Sequence, residues 1–287
     1  MNYIKEYYTK IESGEIIVGN KIEKIYGKLV EEIDNPNLPF YFDEKKAERP
    51  IQFIEMFCKQ AEGNLGEPIK LELFQKAFIQ AIFGFINKET KTRRFNEVLL
   101  LMARKNGKTT LLSAIALYMM IADGEGSAEC YSVATKKDQA SKCFKSACAM
   151  RTQSPEIRAV VSKRRTDMYM PSTFSSFEPL SSDSNTLDGL NSHLVVIDEL
   201  HAIRDRNLYD VMKQSTSSRR QPLVIMITTA GTVRECIFDD MYAYANNVLD
   251  GVVKNDGFLP VLYEQDKEDE WKNIKMWGKS NPALRNY

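Results

Sequence analysis

Two short apolar runs, each stopping abruptly at polar chemistry, constrain this chain more than any other feature. Leu99-Leu100-Leu101-Met102 runs into the polar stretch Ala103-Arg104-Lys105-Asn106-Gly107-Lys108-Thr109-Thr110, and an apolar segment from Leu111 to Ile121 follows. That order predicts a buried strand, a loop and a helix. Farther along, the β-branched run Leu194-Val195-Val196-Ile197 ends directly in Asp198-Glu199. Carboxylates at the end of a buried strand are costly unless paired or metal-bound, so these two are candidate ligands rather than a solvated turn. A strand-to-helix turn carrying Gly-Lys-Thr aims backbone N–H groups and an ammonium at phosphates and offers a hydroxyl to a metal. A second strand ending in acids brings one carboxylate to the metal side and another toward an attacking water. Together the two halves point to hydrolysis of ATP with Mg2+.

Gly-Lys-Thr by itself is a weak signal. The full pattern G-x-x-x-x-G-K-[ST] is not met, because Met102 stands where the first glycine belongs. The flanking strand and helix, and the independent acidic strand, carry the assignment. Lys108 is expected to pair with the β- and γ-phosphates, and Thr109 to give its hydroxyl oxygen to the magnesium. Asp198 is expected to hold that ion, through water, and Glu199 to polarise the attacking water. The remaining loop residues, Arg104, Lys105, Asn106, Gly107 and Thr110, complete the ATP-binding set.

Composition narrows the rest. With 287 residues and 43% hydrophobic content, the chain suits one large domain, or one with a small appendage. Lys and Arg number 39 and so do Asp and Glu, so no global charge announces a nucleic-acid partner. The basic runs Lys91-Thr92-Arg93-Arg94 and Lys163-Arg164-Arg165 read as solvated faces. Five cysteines without a C-x-x-C pair, and only two histidines, argue against zinc and for reduced thiols packed as small apolar residues. The N-terminus lacks an apolar signal core and no run approaches a membrane span, which places the chain in the cytoplasm, with no membrane partner.

Along the chain, residues 1–70 read as a helical lead-in with amphipathic faces (Tyr3, Tyr7, Ile11; Ile22, Ile25, Leu29, Ile33; Ile51, Ile54, Phe57), broken by a turn at Asp34–Pro39. Residues 71–252 read as the ATPase domain. There a helix over Glu72–Ile86 precedes strand-helix alternation: strand Ala128–Ala134, helix Lys137–Met150, short strands over 156–180, helix Asn207–Ser215, strand Leu223–Ile227 and helix Arg234–Leu249. Alternation of this kind predicts an open, mostly parallel α/β sheet flanked by helices. Residues 253–287 carry a candidate edge strand at Gly257–Tyr263 and a short charged, aromatic helix at Glu268–Trp277. Met119, Met120 and Phe78 are expected in the core.

These residues resemble a family. Arg104-Lys105-Asn106-Gly107-Lys108-Thr109 is similar to the phosphate loop of large terminase subunits, the DNA-packaging motors of tailed bacteriophages. Ala134 to Ala140 resembles the segment after their second strand, and Asp188 to Ala202 their acidic strand. Thr228-Thr229-Ala230-Gly231 matches their coupling motif, and Leu73-Phe74-Gln75 their adenine-reading motif. The stretches Tyr263–Asp266 and Trp277–Leu284 look like the bridge that follows the ATPase in these proteins.

The resemblance implies a P-loop NTPase fold of the RecA-like type and a motor that moves double-stranded DNA, without reading its sequence, into a procapsid. It implies a portal protein and a small terminase subunit as partners, and a homo-oligomeric ring assembled on the portal. It also implies adenine recognition by Gln75, stabilisation of transferred charge by Arg104 or by an arginine from a neighbouring subunit, and a coupling role for Thr228, Thr229 and Gly231. Family members carry an RNase H-like nuclease after the bridge. No residues here are left to build one, so DNA cleavage is not expected of this chain. Asp198-Glu199-Leu200-His201 also resembles a helicase DExH box, and an assembly module without catalysis stands as a third alternative.

Overall fold

The computed structural model describes residues 1–181, 187, 189–204, 206–231 and 236–284. The chain opens with helices α1 (Tyr3–Glu12) and α2 (Asn20–Ile33), strand β1 (Phe40–Phe42), helices α3 (Glu44–Phe57) and α4 (Leu73–Gly84), and strand β2 (Phe85–Asn87). Then come β3 (Glu97–Leu101), α5 (Lys108–Ile121), β4 (Glu129–Ala134), α6 (Lys137–Gln153), α7 (Pro155–Val160), β5 (Ser162–Lys163), β6 (Met168–Met170) and β7 (Ser175–Ser181). The last elements are β8 (Ser192–Ile197), a 3₁₀ turn Leu200–Ala202, α8 (Asn207–Gln214), β9 (Leu223–Thr228), α9 (Ile237–Leu249), β10 (Phe258–Leu262) and two 3₁₀ turns, Glu268–Lys272 and Ile274–Lys279.

An eight-stranded sheet organises the molecule in the order β10-β3-β9-β8-β4-β7-β6-β5. The neighbours from β10 through β7 are parallel, and β6 and β5 close one edge antiparallel. Parallel strands covered on both faces need apolar side chains in both directions, which explains the unbroken aliphatic runs. The alternation of strand side chains then sorts them into two layers. Val98 and Leu100 of β3, Val196 of β8 and Ile225 of β9 face one core, and Leu99, Leu101, Val195, Val224 and Met226 face the other. Helix α5 is buried from Leu111 to Met120, as a helix apolar on every side must be. Met119, Met120 and Phe78 lie in the core as expected.

The N-terminal helices share that core. Ile4 and Tyr7 of α1, Ile22 and Leu29 of α2 and Ile51 and Ile54 of α3 join the cluster that includes Val98 and Leu100. Local caps start two of these helices: Asn2 Oδ1 accepts from the Lys5 N–H and Asp43 Oδ1 from the Lys46 N–H. The Tyr7 and Tyr263 hydroxyls meet at 3.3 Å, joining α1 to the end of β10.

Several local expectations need correction. The helix read over Glu72–Ile86 ends at Gly84, and Phe85–Asn87 pairs antiparallel with Phe40–Phe42. A short apolar stretch cannot declare its period, and the partner strand lies far away in sequence. Residues 155–160, read as part of a strand region, form α7, with the Ser154 hydroxyl capping it and Pro155 in its first turn. The single C-terminal helix is two 3₁₀ turns. Helix α9 runs from Ile237 to Leu249; the expected start at Arg234 lies outside the described residues, as does Asp188. The run Lys91–Arg94 is not simply a solvated face, because Arg93 and Arg94 are buried and paired with Asp123 and Glu32.

Candidate nucleotide site

Sheet register builds the site. Leu101, the last residue of β3, pairs with Thr228, the last residue of β9, and Ile197 at the end of β8 pairs with Met226. The carboxyl ends of the three strands therefore open side by side, where ligands bind in open α/β sheets. β9 lies between the strand bearing the polar loop and the strand bearing the acids.

The loop from Ala103 to Gly107 is held in shape from within. Lys105 and Gly107 both have positive φ, 66° and 72°, a left-handed geometry that helps turn backbone N–H groups toward an anion. Gly107 also lies close to Gln75, whose Nε2 would be 3.3 Å from a Cβ placed there. Asn106 is buried, and its side-chain amide donates to the carbonyls of Ala103 and Arg104 at 3.1 Å and to Asn281 Oδ1 at 3.2 Å, while its Oδ1 accepts from the Ala283 N–H at 3.0 Å. The side chain of Asn106 thus clasps the loop to the C-terminal segment. Arg104 and Lys105 are exposed.

Lys108 opens α5, and its ammonium donates to the carbonyls of Met102 and Ala103 at 2.9 and 2.7 Å. Burial lowers its pKa from the ordinary value, partly offset by the charges of Glu199 and Asp198. That electrostatic link brings the two sequence halves into one site. Thr109 and Thr110 sit half-buried on the first turn of α5. Gln75 lies beside the loop with Oε1 accepting from the Glu72 N–H at 3.0 Å, a bond that caps α4. A groove of about 420 Å³ opens between Glu72, Leu73 and Phe74 on one side and Asn281, Pro282 and Ala283 on the other.

Asp198 is buried, and its Oδ2 accepts from Gln139 Nε2 at 3.2 Å. Burial pushes its carboxyl up, the neighbouring Glu199 charge adds to this, and the net value is about 6. Glu199 takes a left-handed backbone conformation, φ 54° and ψ 53°, which costs a non-glycine residue about 1–3 kcal/mol and is typical of functional sites. Its Oε2 is buried without an aligned hydrogen-bond donor. The buried Asp198 carboxylate and the Thr109 hydroxyl are oxygen donors of the kind a hard cation such as Mg2+ takes.

Comparison with known proteins decides the family. Residues 73–247 match the model of the terminase large subunit, ATPase domain. The chain belongs to this family. It is 28% identical over 247 residues to the large terminase subunit of Enterobacteria phage HK97, covering 83% of this chain and 46% of that protein. It is 23% identical over 294 residues to the terminase large subunit of Lactococcus phage p2, covering 99% of this chain and 53% of that one. The crystal structure of the HK97 large terminase superposes with a TM-score of 0.72 at 25% identity, over 84% of this chain and 48% of that one. The ATPase domain of the Thermus phage P74-26 large terminase shares the fold, with a TM-score of 0.51 at 18% identity over 76% of this chain and 90% of that one. The chain thus spans about half the length of the curated relatives it matches. Among the described residues of this terminase chain no helix is long and apolar enough to cross a membrane.

Two contacts escaped the sequence reading of this terminase. Gln139 stood inside a segment similar to the family's, yet its bond to Asp198 joins residues far apart in sequence. His201 was visible only as the last letter of a DExH pattern, and its ring lies between Glu199 and Thr228.

The raised pKa of Asp198 predicts a stability effect. In the folded state its carboxyl titrates at about 6, above the ordinary 3.8. Its contribution is therefore fully present below about pH 4 and is lost as pH rises through 6. In magnesium-free buffer at pH 8, Asp198→Asn should stabilise the terminase chain by about 1–3 kcal/mol, and the gain should vanish at pH 4. Thermal melts of both proteins at the two pH values check this; equal melting temperatures at pH 8 would contradict it.

Proposed function

We propose that this chain is the ATP-hydrolysing motor portion of a terminase large subunit that drives double-stranded DNA into a procapsid. The observation that carries the reading is the side-by-side opening of the ends of β3, β9 and β8, which sets the Lys108 loop within electrostatic reach of Asp198 and Glu199. In this reading Lys108 and the backbone of residues 104–110 bind the phosphates, and Thr109 and Asp198 hold magnesium. Bound there, the ion would neutralise charge on the phosphates. Glu199 orients and polarises water, and exposed Arg104 reaches the transferred phosphate, in cis or as a finger for a neighbouring subunit. Gln75, whose Oε1 keeps a second lone pair after capping α4, reads adenine beside the phosphate loop. Thr228, Thr229 and Gly231 relay the state of the phosphate side.

The ATPase unit in this proposal spans residues 71–252 together with β10, which pairs with β3 in the same sheet. Residues 1–70 form the helical lead-in. The bridge begins after Tyr263 and meets the phosphate loop through Asn281 and Ala283. The working assembly is a ring on a portal protein, with a small terminase subunit, in the cytoplasm of the bacterial host.

The test is magnesium-dependent release of phosphate from ATP, combined with titration of a random DNA duplex. A chain with no net charge should bind duplex weakly, without sequence preference, and with an affinity that falls steeply between low and physiological salt. Absence of magnesium-dependent hydrolysis would remove the motor reading. Tight, salt-insensitive binding to one sequence would replace it with a sequence-specific regulator.

A further inference from the structure

We infer that His201 is a positioning residue that aims the Glu199 carboxylate by tying it to Thr228 at the end of β9. The inference rests on Glu199 being the water-polarising group. His201 lies on the 3₁₀ turn Leu200–Ala202 directly after the acidic pair. Its Nδ1 is 3.0 Å from Thr228 Oγ1 and 3.2 Å from Glu199 Oε2.

Hydrogen counting favours one tautomer of the ring. A threonine hydroxyl has one hydrogen to give and two lone pairs to receive. Thr228 Oγ1 gives that hydrogen to the Thr229 carbonyl at 2.9 Å and receives the His201 backbone N–H at 3.3 Å. With the hydroxyl hydrogen so placed, its other lone pair faces a donor, and Glu199 Oε2, 3.2 Å from the same nitrogen, is also an acceptor, so a hydrogen on His201 Nδ1 suits both neighbours. A neutral imidazole is sufficient; no charge on the ring is required.

That one N–H faces two acceptors. It is aligned on Thr228, and Glu199 Oε2, though 3.2 Å from the same nitrogen, lacks an aligned donor. A buried acceptor left without a donor is costly, so a small rotation of the ring, transferring the bond from Thr228 to Glu199, meets a restoring demand. The ring has no room to retreat instead. A Cβ placed on Gly231 would come within 2.6 Å of His201 Cβ and Cδ2, so the glycine backbone lies directly against the imidazole. Glycine is needed here for close approach rather than for its φ.

Thr228 connects this pair to the other half of the site. Its carbonyl accepts from the Met102 N–H at 3.3 Å, and the Met102 carbonyl accepts from Lys108 Nζ at 2.9 Å. A continuous path therefore runs from the phosphate-binding lysine through the end of β9 and His201 to Glu199. Movement of the phosphate loop that shifts Thr228 changes which acceptor holds the Nδ1 hydrogen, and with it the orientation of the carboxylate.

The experiment is steady-state hydrolysis of Mg·ATP by the full chain carrying His201→Ala, His201→Asn, His201→Gln, Thr228→Val, the His201→Ala/Thr228→Val pair, and Glu199→Gln. His201→Ala should lower kcat on the order of ten- to a hundredfold, as misaligned catalytic groups do, with KM within about twofold of the parent. His201→Asn, which puts an amide nitrogen at the place of Nδ1, should recover most of the rate, and His201→Gln, which puts it at the place of Nε2, should not. The double variant should be no slower than His201→Ala alone, because both changes break one path. Parental kcat in His201→Ala, with Glu199→Gln inactive, would overturn the positioning role while leaving the site reading intact. An active Glu199→Gln would overturn both. If His201→Ala does not fold, the Asn-over-Gln order carries the test, and equal or reversed rates defeat the proposal.

Discussion

Lys108→Ala is expected to lower ATP turnover by about two to three orders of magnitude and to weaken ATP binding, whereas Glu199→Gln is expected to lose turnover to a similar degree and keep binding. The difference follows from what each group meets. The Lys108 ammonium sits at the opening of α5 and already holds two carbonyls of the loop it belongs to. It is a point charge that meets the phosphates in the ground state and meets more developed charge on them in the transition state. Its loss therefore removes binding and rate together. Glu199 has a buried oxygen with no aligned donor, and in the proposed mechanism its carboxylate polarises the attacking water. An amide of the same shape preserves packing but cannot polarise that water, so only the chemical step suffers. Equilibrium binding of a fluorescent ATP analogue, measured beside phosphate release, separates the two. Equal loss of binding in both variants would contradict the division of labour.

How much of this was legible in the sequence depends on the range of the interactions. The strands β3, β8 and β9 were readable because each is an aliphatic run with a sharp polar end, and the buried α5 because its apolar run is too long for a strand. The loop and the acidic pair were readable because their chemistry sits in contiguous residues. The β1–β2 pair was not, since Phe40–Phe42 and Phe85–Asn87 carry no turn between them. α7 had a readable signal in Ser154-Pro155 that the short-strand reading passed over. The Asn106 clasp, the Gln139 bond and the His201 contacts all join distant segments, and nothing in the local pattern of any one segment specifies its partner.

The largest stability effect is expected away from the nucleotide site, at Asp123. Its carboxylate meets Arg93 through two N–H donors, at 3.3 and 3.1 Å, and His193 Nε2 at 2.8 Å. All three side chains are almost fully buried, with exposures of 5% for Asp123, 3% for Arg93 and 0% for His193. Arg93 also donates to the Gln221 carbonyl at 2.6 Å, so the cluster ties together the approach to β3, the end of α5, the start of β8 and the approach to β9 at the amino ends of these strands. Removing one partner of a buried ion pair leaves the other charged and dry, at a cost of about 3–5 kcal/mol. Asp123→Asn keeps the shape and deletes the charge, so it should lower the melting temperature by roughly 10 °C. Burial pushes the Asp123 carboxyl up, but the Arg93 charge and the bonds from His193 and Arg93 overcome it and hold it at about 2. Because that value lies below the ordinary 3.8, the stabilisation is present above about pH 4 and is lost as pH falls toward 2. The parent chain should therefore approach the variant's stability in that window, while at pH 7 the gap is full. ATP binding by folded Asp123→Asn at low temperature should match the parent, since the cluster lies at the end of the strands opposite the nucleotide. A variant melting within 2 °C of the parent at pH 7 would show, by the same conversion of energy to temperature, that the buried cluster contributes less than about 1 kcal/mol.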